Sequence, residues 1–235
     1  MHLTVRSAAR ARLEEAGADR IGPGGPVWTV SARSFRLREI ESGRRYEALV
    51  APGAGLADLM RNWFSRVLLC SGGILLHAAA VIRNGRALLF SGPSGSGKST
   101  LAKLAGSQTV LSDESVAVLP AFAGRGRPAP LVAHGTPFFG ELAHAAANAC
   151  APIGAVFLIG PSRTPLGAGL CRVAPVSPAR SAAELLAQTF LRTLSGDSAE
   201  ALFPILEELA ARTRVMRLEF APEPGIWEGL DGLLE

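Results

Sequence analysis

The chain has 235 residues, 48% of them hydrophobic, and a formal net charge of +4. That apolar fraction supports a sizeable core and excludes a globally disordered chain. No long basic block points to nucleic acid as the main partner, and no apolar stretch reaches the ~18 residues that span a bilayer.

The opening "MHLTVRSAARARLEEAGADR" mixes arginines with acidic residues and has no apolar signal core. The expectation is a cytosolic protein with no membrane partner. Cys70, Cys150 and Cys171 are odd in number and widely spaced, which suits reduced, mostly buried thiols better than a disulfide framework or a metal cage.

In chain order, a short helix is predicted over Ser7 to Ala16, then a loop at "GPGGP". Alternation in "VWTVSARSFRLREI" and "RRYEALV" predicts small antiparallel strands. These make residues 1–70 a small N-terminal α+β layer, rich in strand. "GLADLMRNWFSRVLLCSGG" has helical spacing and a glycine stop. "ILLHAAAVIRNGRALLFSG" reads as two strands around Asn84-Gly85, a strong hairpin signal. A glycine loop follows, then a helix from about Lys98 to Ala105. "TVLSDESVAVLP" predicts two short strands meeting at Asp113-Glu114, followed by a Gly-, Arg- and Pro-rich loop from Ala123 to Pro130. "GAVFLIG" is a buried strand, and the tail is mainly helical except for the strand "RVMRLEF". Residues 71–235 therefore read as an α/β core with a mixed sheet and a helical C-terminal part.

Residues 92 to 99, G-P-S-G-S-G-K-S, complete the pattern G-x-x-x-x-G-K-[ST] between a predicted strand and a predicted helix. Gly92, Gly95 and Gly97 are expected to free the backbone so that successive N–H groups point inward at phosphate oxygens. The cradle runs through Gly92, Pro93, Ser94, Gly95, Ser96 and Gly97 to Lys98, Ser99 and Thr100. Lys98 is expected at the β- and γ-phosphates and Ser99 on Mg²⁺. Only Lys98 and Lys103 among the 24 basic residues are lysines, so a compact ammonium stands at 98 in a chain that otherwise uses arginine.

A second strand has to bring a carboxylate to that phosphate. Asp113 and Glu114 end an apolar run where the chain returns to the sheet, and Asp113 is the stronger candidate for proton acceptor and metal ligand. Adjacent strand residues face opposite sides, so both reach one site only if the strand bends or ends there.

These residues resemble the C-terminal catalytic domain of HPr kinase/phosphorylase, which shares its fold with phosphoenolpyruvate carboxykinase. The similar pieces are "LLHAAAVIRNGRALLFSGPSGSGKSTLAKL" and "VLSDESVAVL", with His77, Lys98 with Ser99, and Asp113 with Glu114 at matching positions. "HGTPFFGEL" is similar to a segment of shorter members that phosphorylate precursors of ribosomal peptides such as lasso peptides. The resemblance covers about residues 74 to 160. It implies a phosphoenolpyruvate carboxykinase-like P-loop core, ATP and Mg²⁺ as cofactors, and a serine hydroxyl of a small protein or peptide as acceptor. His77 would orient Asp113 or meet a phosphoryl oxygen, and homo-oligomers are common in that family. The second member of the acidic pair there is usually aspartate; here it is Glu114. His134 is a further candidate for the acceptor side, His144 has no role assigned, and Arg125 and Arg127 are candidates for closing over phosphates. Two other functions stay open: a kinase for a free metabolite, and an accessory protein that binds ATP without transferring its phosphate.

Overall fold

The computed structural model describes residues 2–7, 28–31, 35–41, 44–53, 55–121, 130–142, 146–160, 171–190 and 196–234. The helix expected from Ser7 onward lies, beyond Ser7 itself, outside these residues, as do Arg125, Arg127 and His144. Two units divide the chain: Met1–Ser71 with Phe190–Ala201, and Gly72–Thr189 with Leu202–Glu235.

In the first unit a four-stranded sheet is built from β1 (His2–Ser7), β2 (Trp28–Ser31), β3 (Phe35–Glu41) and β4 (Arg45–Val50), in the order β1-β4-β3-β2. The β1–β4 pair is parallel and the others antiparallel. Helix α1 (Ala57–Cys70) belongs to the same unit. Leu59, Trp63 and Val67 recur at helical spacing and pack on Phe35, Leu37, Tyr46, Ala48 and Val50. β1 was not expected from the sequence: "HLTVRS" is almost wholly exposed, so no buried alternation announces it.

The second unit contains a larger mixed sheet. Its strands are β5 (Ile74–Arg83), β6 (Arg86–Ser91), β7 (Thr109–Ser112), β8 (Ser115–Pro120), β9 (Leu131–His134), β10 (Cys150–Ile159), β11 (Cys171–Pro175) and β12 (Arg214–Phe220). Its helices are α2 (Lys98–Leu104), α3 (Pro178–Leu186), α4 (Gly196–Arg212, from Leu202 onward) and α5 (Ile226–Leu234). With α1 these make five helices among the described residues, so the chain is mixed α/β. The hairpin forms at Asn84-Gly85, whose φ values of +51° and +72° are both left-handed. That is the geometry of a tight type I′ turn, which Asn-Gly favours.

The strand order is β11-β12-β10-β6-β5-β8-β9, with β7 also on β5 and β10 also on β9. Two long strands are each shared. Ile74–His77 of β5 pair with β8, whereas Ala78–Arg83 pair with β6. Cys150–Pro152 of β10 pair with β9, and residues from Ile153 pair with β6. The pairings β10-β6-β5-β8-β9-β10 thus return to their starting strand. β6, β10 and β12 are parallel, and the apolar runs of β6 and of the second half of β10 are buried on both faces. Phe90 and Phe157, neighbours on β6 and β10, stack at 5.3 Å, and Trp227 of α5 meets Phe90 edge-on at 5.6 Å. This core is the platform on which the loop after β6 stands.

Candidate functional site

β6 ends at Ser91, and residues 92–97 carry the chain directly into α2. Gly95 and Gly97 have φ of +77° and +100°, a region that residues with a Cβ rarely enter. Gly92 is required for a different reason than expected. Its φ is not left-handed; a Cβ there would lie 2.5 Å from the Ile159 carbonyl oxygen at the end of β10. At Gly97 a Cβ would also meet the Phe220 ring at 2.7 Å. The loop is therefore pressed against the ends of β10 and β12. A cleft of about 490 Å³ opens over it, lined by Pro93–Gly97, Thr100, Gly160, Phe220 and Pro222.

Lys98 is the first residue of α2 and is 5% exposed. Its Nζ donates to the carbonyl oxygens of Gly92 and Pro93 at 2.8 and 2.9 Å. Burial lowers its pKa below the ordinary lysine value, and the Glu114 charge acts in the opposite direction. The ammonium is thus poorly solvated and held by neutral acceptors of its own loop. Such a group favours an anion. Ser99 and Thr100 are half-buried beside it.

The acidic pair divides its work between two sides. Ser112, which ends β7, accepts from the Glu114 and Ser115 amides at 3.1 and 3.0 Å and so folds "SDES" into a tight turn. Asp113 is 1% exposed. Its Oδ1 accepts from the Gly140 amide at 2.8 Å, and its Oδ2 from the Glu141 and Leu142 amides at 2.8 and 3.2 Å. Expected to hold a metal or take a proton, this carboxylate is instead sealed against the segment 140–142.

Glu114 points elsewhere. Its backbone carbonyl accepts from the Ala78 amide at 3.2 Å, and Ala78 pairs with Ser91, the residue before the glycine loop. Its carboxylate lies 3.8 Å from His77 Nε2, both side chains partly exposed, and its charge reaches Lys98. His77 is the last residue of β5 on β8, and Ala78 the first on β6. The structure therefore brings together His77, Glu114, Lys98 and the loop, at the point where β5 passes from one partner to the other.

The segment "HGTPFFGEL" is bonded to the same turn. Ser112 Oγ donates to the Phe138 carbonyl at 3.3 Å, and Thr136 Oγ1 donates to the Ser115 carbonyl at 2.7 Å. Glu141 pairs with Lys103. Gly140 is needed because a Cβ would lie 2.8 Å from Asp113 Oδ2. His134 sits on β9 between Ala117 and Cys150, and burial pushes its pKa below the usual histidine value. Among the described residues no group of three or more His, Cys, Asp or Glu side chains could hold a metal ion. The cysteines are not mostly buried as expected: Cys70 and Cys150, each at an end of its element, are exposed, and Cys171 is partly buried. Phe220, Pro222 and Gly160 were not expected at the loop. Phe220 ends β12, and Pro222 and Gly160 follow the ends of β12 and β10, a proximity set by pairing across the sheet and not by any local motif.

No curated protein matches the chain. The family described as SynChlorMet cassette protein ScmC matches over residues 60–231, which include the hairpin, the glycine loop, the acidic turn and the helical tail. Because that match takes in well over half of the sequence, the chain belongs to the SynChlorMet cassette protein ScmC family.

Proposed function

We propose that the chain is an ATP- and Mg²⁺-dependent kinase of the HPr-kinase-like type. Its core would be phosphoenolpyruvate carboxykinase-like, and the acceptor a serine hydroxyl of a small protein or peptide. The observation that carries this reading is the meeting of a full G-x-x-x-x-G-K-S loop with a His77–Glu114 pair whose charge reaches Lys98. A loop alone argues for anion binding. A partly exposed carboxylate beside it adds a proton acceptor.

In this mechanism Lys98 exchanges its Gly92 and Pro93 carbonyls for phosphate oxygens and spreads the charge that develops on the γ-phosphoryl group. The loop amides act alike. The serine oxygen bonds to the γ-phosphorus as the bond to the β–γ bridging oxygen breaks and ADP leaves. Glu114 takes the hydroxyl proton, with His77 beside it to share the charge. Asp113 positions the turn from behind. Ser99 Oγ is the kind of oxygen donor that a hard cation takes, and a cation held there would neutralise charge on the β- and γ-phosphates.

The test is incubation of the purified chain with labelled ATP, Mg²⁺ and peptides encoded in its cassette, followed by mass spectrometry of the peptides. A labelled serine that disappears with Lys98→Ala and with Glu114→Gln supports the kinase. Tight nucleotide binding with no labelled acceptor would move the assignment to an ATP-binding accessory protein.

A further inference from the structure

A second cavity, of about 450 Å³, lies at the far end of the same strands, where β6 begins and not where it ends. Arginines from three different strands line it: Arg83 from β5, Arg86 from β6 and Arg214 from β12. Arg83 and Arg86 are direct cross-strand partners beside the Asn84-Gly85 turn. Like charges placed opposite each other weaken a hairpin, so this pairing carries a cost that a neutral residue would avoid.

Two features hold the arrangement. Asp231 of α5 takes Nε and one terminal nitrogen of Arg83 with its two oxygens, raising the arginine's pKa and lowering its own. The Arg83 guanidinium also lies 5.4 Å from the Trp227 ring centroid. On the other side β10 shifts register between Ile153 and Ala155, and the intervening Gly154 leaves room for Arg86. A Cβ at 154 would sit 3.0 Å from the Arg86 Cβ and 3.3 Å from its Cδ. The irregularity thus lets the Arg86 stem lie across β10 toward the cavity. Across the sheet Leu88, Ala155 and Arg214 stand in one register row, which brings the third guanidinium to the same place.

Among the described lining residues three guanidinium groups accompany one carboxylate, which is held by Arg83, with the Glu228 charge also acting on Arg83. Guanidinium forks match the paired oxygens of carboxylates and phosphates. We infer that this cavity is a binding site for a small polyanion, a polycarboxylate or a phosphate ester, separate from the glycine loop.

Calorimetric titration of the full chain with citrate and, separately, with pyrophosphate tests it. Saturable binding of at least one probe is expected, about tenfold weaker in Arg86→Gln and in Arg214→Gln. Both side chains are exposed, so thermal stability should hold. Asn84→Asp adds a charge at the rim while keeping a residue that tolerates left-handed backbone, and should weaken binding without removing an arginine. Citrate alone identifies a polycarboxylate site and pyrophosphate alone a phosphate-ester site. The inference is overturned if neither probe binds at millimolar concentration. It is equally overturned if all three variants bind as the wild type does, or if binding is lost in Lys98→Ala and kept in the arginine variants.

Discussion

Asp113 and Glu114 are neighbours in sequence and opposites in use, and the contrast yields two separable outcomes. Asp113→Asn replaces an acceptor oxygen with an N–H₂ group facing backbone amides. It should cost ~2 kcal/mol of stability, read as a lower denaturation midpoint. Glu114→Gln leaves those bonds intact. It should keep the midpoint and lower phosphoryl transfer about 10²–10⁴-fold. If Asp113→Asn proved as stable as wild type while losing transfer, the roles assigned to the two carboxylates would have to be exchanged. Alternation allowed both carboxylates at one site only if the strand bent or ended there; it does turn there, and the two still part. Which one faced the glycine loop depended on amides at 140–142, far away in sequence and invisible to any local pattern. The reasons for the glycines were legible at 95 and 97 and misread at 92, where crowding by Ile159 decides. Gly97→Ala combines a left-handed φ with a clash against Phe220, so a loss of ~1–2 kcal/mol and of nucleotide binding is expected in denaturation and titration.

Elements with a strong local signal were predicted well: α1 by its spacing and glycine stop, the β5–β6 hairpin by Asn-Gly, and α2 by the motif before it. β9 and β11 were not foreseen. Each has only four or five residues, and β11 is mostly exposed, so neither carries a periodic signature. β9 nonetheless supplies His134, whose burial lowers its pKa in the folded chain. Between its lowered pKa and the ordinary ~6.5, the unfolded chain holds a proton that the folded chain does not. Stability should therefore rise with pH through that interval, with the penalty complete below the lowered value. In His134→Gln the slope of melting temperature against pH should flatten over the same interval; an unchanged slope would remove His134 as its source. Between β6 and β10 the stacked Phe90–Phe157 pair is the central packing unit. Phe157→Ala should cost about 3–5 kcal/mol in chemical denaturation.

At the scale of the molecule, composition and the order of elements were enough for a mixed α/β chain with a strand-rich N-terminal part. The sharing of β5 and β10 between partners was not legible, because it depends on pairings as distant as β9 with β10. That sharing has a mechanical meaning. An ordinary sheet can fray from its outermost strand inward, one ladder at a time. A circuit of five strands offers no such starting point: detaching any one of its strands means breaking two ladders at once. Amide protons in β5, β6 and β10 should accordingly exchange with solvent in a single slow class, including those next to His77, while the peripheral β11 exchanges sooner. The site proposed for phosphoryl transfer is thus mounted on the part of the protein least able to loosen by degrees.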